Sequence, residues 1–138
     1  MIRMKFIVEN LAVGSYEDAL RPPSEIKALL NVAQERDIET KLLYYKVPIA
    51  DMKPIPVAQL KEAVEWIRAH IDSYKILVFC NAGVGRSPSV VIGYLCCFRG
   101  LGFDNAVALV TKRKPDISIL PRLIQSIQDV KRSIMNLY

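Results

Sequence analysis

Residues 75–98, KILVFCNAGVGRSPSVVIGYLCCF, constrain the fold more than any other stretch of the chain. The apolar run KILVFC, ending at Cys80, reads as a central strand buried on both faces. Residues 87–98 are apolar almost all the way round, as expected of a helix packed inside a domain. Pro88 fits the first turn of that helix, where its missing N–H is not needed. A strand that passes through so short a glycine loop into a buried helix is the central unit of an α/β domain.

The flanking sequence agrees with that class. Residues 5–14 suggest a strand, a turn at Glu9-Asn10 and a second strand, followed by a helix capped by Ser15 or Ser24. The apolar runs at 27–33 and 42–49 have strand length. In 58–71, Leu60, Ala63, Val64, Ile67 and Ile71 recur at helical spacing with charges elsewhere on the wheel. Two further helices are expected at 103–113 and 121–136, separated by a break at Lys114-Pro115. With 138 residues, 51% of them hydrophobic and 24% charged, the chain has enough apolar surface for one core, and one domain over 1–138 is expected.

The chemistry of the loop follows from its residue types. Gly83 and Gly85 let successive backbone N–H groups turn inward as a nest, and the helix start adds its positive end. Asn81, Ala82, Gly83, Val84, Gly85 and Arg86 therefore form a candidate cradle for a dianion, with the Arg86 guanidinium supplying a planar fork for phosphate oxygens. The same positive field favours the thiolate form of Cys80, the nucleophilic one. A thiolate on the floor of an oxyanion cradle is suited to attack phosphorus and form a phosphocysteine that water then hydrolyses.

CNAGVGRS at 80–87 resembles the C-x5-R signature of the cysteine-dependent protein tyrosine phosphatases, and NAGVGRSPSVV is most similar to their small dual-specificity branch. LLNVAQE at 29–35, VPIAD at 47–51 and VTKRKPDIS at 110–118 resemble other segments of that branch. The resemblance implies a single α/β domain with a short central sheet flanked by helices on both sides. It also implies Cys80 as nucleophile, Arg86 as phosphate clamp and Ser87 as donor to the thiolate when it leaves in the second step. One position departs from the pattern: Phe79 stands where the family usually carries a histidine that helps order the loop.

Expulsion of an alkoxide or phenoxide needs a proton from an acid above the pocket. Asp51, after VPIA and before a loop stiffened by Pro54 and Pro56, is the expected donor, with Asp72 and Asp37 as alternatives. Asp72 is the weaker because it falls at the end of the central strand opposite Cys80. Cys96 and Cys97 are expected in core packing, His70 as a surface or partly buried residue, Lys112–Lys114 as a solvated helix end, and Gly100 and Gly102 as a helix cap and turn.

The function implied is metal-independent, cofactor-free hydrolysis of phosphomonoesters, with phosphotyrosine and phosphoserine or phosphothreonine in proteins as expected substrates. Phosphoglucan, phosphoinositide and RNA 5′-phosphate remain alternatives, as does a phosphate-binding module with little turnover. The loop lacks the extra Lys or Arg expected for highly charged inositol phosphates. The excess of 19 basic over 14 acidic residues makes anionic partners plausible, yet no interleaved basic and aromatic pattern suggests nucleic acid. Charges at Arg3, Lys5 and Glu9 break the pattern of a signal peptide, no stretch reads as a bilayer span, and the odd cysteine count argues against a disulfide framework. A cytoplasmic location without membrane insertion is therefore expected; the oligomeric state stays open.

Overall fold

The computed structural model describes residues 4–136. The strands are β1 (Lys5–Val8), β2 (Leu11–Ser15), β3 (Ala28–Asn31), β4 (Leu43–Lys46) and β5 (Ile76–Cys80). The helices are α1 (Tyr16–Leu20), α2 (Val57–His70), α3 (Arg86–Phe98), α4 (Phe103–Arg113) and α5 (Leu123–Met135). One five-stranded sheet runs in the order β1-β2-β5-β3-β4. β1 joins β2 antiparallel through a turn at Asn10, whose φ of 68° is a left-handed conformation that asparagine tolerates. The other pairings are parallel, which places β5 in the middle, as its unbroken apolar run requires.

Alternation along the strands divides the core in two. Leu11, Val13, Ile76, Val78 and Cys80 belong to the larger cluster beneath α2, α3, α4 and α5. Ala12, Leu29, Leu77 and Phe79 face the opposite layer, covered by α1 through Ala19 and by Met4 and Ile26. Helices therefore flank the sheet on both sides, four on one face and the short α1 on the other. Phe79 and Cys80, adjacent in sequence, consequently lie on opposite faces. The fully buried Phe79 ring packs in an apolar cluster away from the thiol.

Several local expectations are sharpened or corrected. Ser15, not Ser24, caps α1: its hydroxyl accepts from the Asp18 N–H at 3.2 Å while the Asp18 carboxylate accepts from the Ser15 N–H at 2.9 Å. The two strands expected at 27–33 and 42–49 stop at Asn31 and Lys46. Val32, Ala33, Val47 and Ile49 stay fully buried as the chain carries core residues past the strand ends. Gly100, with φ 71°, ends α3 in the left-handed conformation expected of a cap. Cys96 is buried and Cys97 half-buried; burial pushes both thiols up, Cys97 to about 11, so both pack as neutral groups. Lys114 departs from the expected solvated run. It is buried just beyond α4, and its ammonium donates to Asp116 at 2.8 Å.

Candidate active site

In a parallel sheet the chain leaves every strand at the same edge, and loops from separate segments converge there. The register sets Ser15 of β2 opposite Cys80 and Asn31 of β3 opposite Phe79, with Lys46 of β4 beside Asn31. Gly14, Glu35, Arg36, Ile49, Asp51 and the Cys80–Arg86 loop are brought together at this edge although they are scattered over 73 positions. Asp72 follows α2 and precedes β5, at the opposite end. Asp37 is exposed and pairs with Lys46 at 2.7 Å. Of the three expected acids, Asp51 alone lines the cleft that holds Cys80.

That cleft encloses about 340 Å³, with Cys80, Arg86 and the small residues Ala82 and Gly85 along its floor. Met52, Val84, Ile119, Leu120 and Pro121 contribute apolar walls. Gly83 has φ 75°, and a Cβ there would stand 2.8 Å from the Gly14 carbonyl carbon, so the loop conformation demands glycine at this point. Ser118 N–H donates to the Val84 carbonyl at 2.8 Å and the Leu120 N–H to the Ser89 hydroxyl at 3.0 Å. These two bonds tie the 115–121 connection to the cysteine loop and to α3.

Cys80 is buried, and its Sγ has two neighbours from the start of α3. The Ser87 hydroxyl lies at 3.2 Å and the Ser87 N–H donates from 3.4 Å. The hydroxyl also donates to the Gly14 carbonyl at 3.2 Å. Ser87 thus occupies the position from which an O–H could be turned onto the sulfur.

Arg86 is only 2% exposed, and its donors can be accounted for one by one. One terminal nitrogen donates to Glu35 Oε1 at 2.6 Å and to the Ile49 carbonyl at 3.0 Å, and the other donates to Glu35 Oε2 at 2.6 Å. Of five N–H groups, three are therefore committed to protein acceptors. The Nε–H and the neighbouring N–H of the second terminal nitrogen form the remaining side-on pair. Nε is buried without a hydrogen-bond partner, the Asp51 carboxylate standing at 3.7 Å. A buried guanidinium edge with an unused donor beside Cys80 suits two oxygens of one phosphoryl group. The fork is therefore presented side-on, since its end is already occupied.

Glu35 holds the guanidinium in that orientation and is itself altered by it. The hydrogen bond from Arg86 first, with Coulomb attraction to Arg86 and Arg36 assisting against desolvation, lowers its carboxyl from 4.5 to about 2. The same bond raises Arg86 above its ordinary value. The adjacent Arg36 donates to the Asn81 side chain at 2.8 Å and lies over the Tyr16 ring at 4.3 Å. Neither Glu35 nor Arg36 stood out by composition or spacing. The available signal was position, in the turn a few residues beyond the end of β3.

The family model for the dual specificity phosphatase catalytic domain matches residues 12–133. Dual specificity protein phosphatase Mpk3 of Drosophila melanogaster is 37% identical over 99 residues, covering 67% of this chain and 24% of that protein. Protein-tyrosine-phosphatase IBR5 of Arabidopsis thaliana is 30% identical over 134 residues, covering 94% of this chain and 51% of that protein. The chain thus spans a quarter to about half of these relatives. The solved structure of DUSP15 superposes with a TM-score of 0.81 at 20% identity, over 98% of this chain and 96% of that one. A human tyrosine phosphatase-like serine/threonine/tyrosine-interacting protein gives 0.81 at 23% identity over 99% and 100%. With the fold shared and the family match running from β2 through α5, the chain belongs to the dual specificity phosphatase catalytic-domain family.

Proposed function

We propose that the protein hydrolyses phosphomonoesters through a phosphocysteine intermediate, acting on phosphotyrosine and phosphoserine or phosphothreonine in proteins. The observation that carries this reading is the buried Arg86 edge, with Nε unpartnered, beside Cys80 on the floor of an open cleft. In the first step the Cys80 thiolate attacks phosphorus while the ester P–O bond breaks. The departing oxygen takes a proton from Asp51 at the mouth of the cleft. In the second step Asp51 accepts a proton from water, whose oxygen displaces sulfur, and the Ser87 hydroxyl donates to the sulfur as it regains its charge. The loop N–H groups and Arg86 hold the phosphoryl oxygens throughout.

The cleft walls support a protein substrate. Among the residues lining it, the charged side chains are Asp51 and Arg86, Ser118 is polar and uncharged, and Met52, Val84, Ile119, Leu120 and Pro121 are apolar. One phosphate flanked by uncharged groups matches that lining better than a polyphosphorylated inositol does. Hydrolysis of an aryl phosphate in the presence of chelator, abolished in Cys80→Ser with tungstate binding retained, is the expected result. Full activity in that variant would overturn the covalent mechanism. A panel of phosphopeptides, inositol phosphates and phosphoglucan tests the substrate class.

A further inference from the structure

The segment between β3 and β4 grips both ends of the cysteine loop. Glu35 takes the terminal nitrogens of Arg86, the last residue of the loop, and Arg36 binds the side chain of Asn81, the first residue after the cysteine. Two adjacent residues can hold two points on a loop only if their own backbone is fixed. Glu35 and Arg36 lie outside regular structure, where the backbone is held by a bond from the Gln34 N–H to the Ile49 carbonyl and a turn bond from the Arg36 N–H to the Ala33 carbonyl, each 3.2 Å.

Lys46 adds the side-chain part of that fixation. From the end of β4 its ammonium donates to the carbonyl of Gln34 at 3.1 Å, to the carbonyl of Arg36 at 2.9 Å and to the Asp37 carboxylate at 2.7 Å. The two carbonyls flank Glu35 on either side. All three ammonium donors are used within four consecutive residues, and the side chain is largely covered, 23% exposed. Asn31, opposite Lys46 in the ladder, adds a bond to the same Arg36 carbonyl at 2.7 Å. The ion pair with the exposed Asp37 contributes little by itself, whereas the bonds to backbone hold the chain just before and just after Glu35 and so limit where its carboxylate can point.

We propose that Lys46 is a positioning residue for phosphate binding: by holding the carbonyls on both sides of Glu35 it fixes the carboxylate that sets the Arg86 guanidinium edge-on to the cleft. This inference rests on the phosphatase reading and names a residue that touches neither substrate nor cysteine. Lys46→Met keeps the apolar stem and removes the three donors.

The test is a double-mutant cycle read by calorimetric titration with inorganic tungstate, alongside aryl phosphate kinetics, on the full chain. Lys46→Met is expected to weaken tungstate binding roughly tenfold, the scale of coupling inside one hydrogen-bond network, while the variant stays folded at the assay temperature. In a Glu35→Gln background the same substitution should change binding by less than about twofold, because the carboxylate it serves is gone. Lys46→Arg, which can still donate to the carbonyls, should recover most of the affinity, and it keeps the question open to test if Lys46→Met folds poorly. Equal effects of Lys46→Met in both backgrounds would reduce Lys46 to general support and overturn the proposal, as would wild-type affinity in Lys46→Met. Absence of tungstate binding and of hydrolysis in the wild-type protein would instead remove the phosphatase reading on which the proposal stands.

Discussion

Glu35 and Arg86, 51 positions apart, are joined by two parallel hydrogen bonds of 2.6 Å, and this pairing decides which edge of the guanidinium faces the cleft. Arg86 is buried and Glu35 about half exposed, so the anion lies on the solvent side of the pair. The arrangement turns a flexible side chain into a fixed donor pair before substrate arrives, which reduces the ordering entropy lost on binding.

The first prediction concerns pH. The Glu35 carboxyl is held at about 2 in the folded protein against 4.5 unperturbed, so the folded state binds its proton less readily than the unfolded chain. The resulting stabilisation is complete above the unfolded value and is lost as pH falls from there through about 2. Urea unfolding of wild type and Glu35→Gln should give a stability difference that is constant above about pH 5.5 and shrinks steadily below it. A difference independent of pH across that window would show that the pair is not linked to folding.

Asp51→Asn should slow hydrolysis of esters with poor leaving groups by roughly 10² to 10⁴, the usual range for losing a general acid. Esters whose leaving groups are already acidic should suffer much less. The comparison of an alkyl with a nitrophenyl phosphate reads this directly. The same signature in Asp72→Asn would reassign the acid, against the placement of Asp72 at the far end of β5.

Ser87→Ala should affect the second step more than the first. The hydroxyl 3.2 Å from Sγ has charge to stabilise when sulfur departs from phosphorus, and a hydrogen bond to a charged group is worth about 1.5 to 3 kcal/mol. Breakdown of the intermediate should slow roughly tenfold to a hundredfold, so that stopped-flow traces show a burst of leaving group followed by a slow steady rate. Uniform slowing without a burst would place the role of Ser87 in loop structure alone.

What was legible in the sequence was local. Cys80, the glycines, Arg86 and Ser87 sit within eight residues, and the strand on one side and buried helix on the other fix their surroundings by pattern alone. Asp51 was reachable because it follows the apolar run VPIA, whose buried residues carry the chain past the end of β4 to the cleft that holds Cys80. Glu35, Arg36 and Lys46 carry no such local signal, because their meaning lies in contacts across 51, 45 and 10 positions that periodicity does not encode. The apolar pattern overruns the strand ends for a related reason. Val32, Ala33, Val47 and Ile49 are apolar because they are buried, and burial continues after the sheet ladder stops. Lys114 reads as one of three basic residues in a row, and its inward turn to Asp116 follows from where α4 ends.

Under the proposed mechanism the phosphoryl group passes through Cys80. Acid quenching of Ser87→Ala during turnover of an aryl phosphate, followed by digestion and mass spectrometry, tests it most directly because this variant should accumulate the intermediate. One phosphoryl group is expected on the peptide containing Cys80, absent when Cys80→Ser is added. Steady hydrolysis with no phosphoryl group trapped there, or with one on a different side chain, would contradict it.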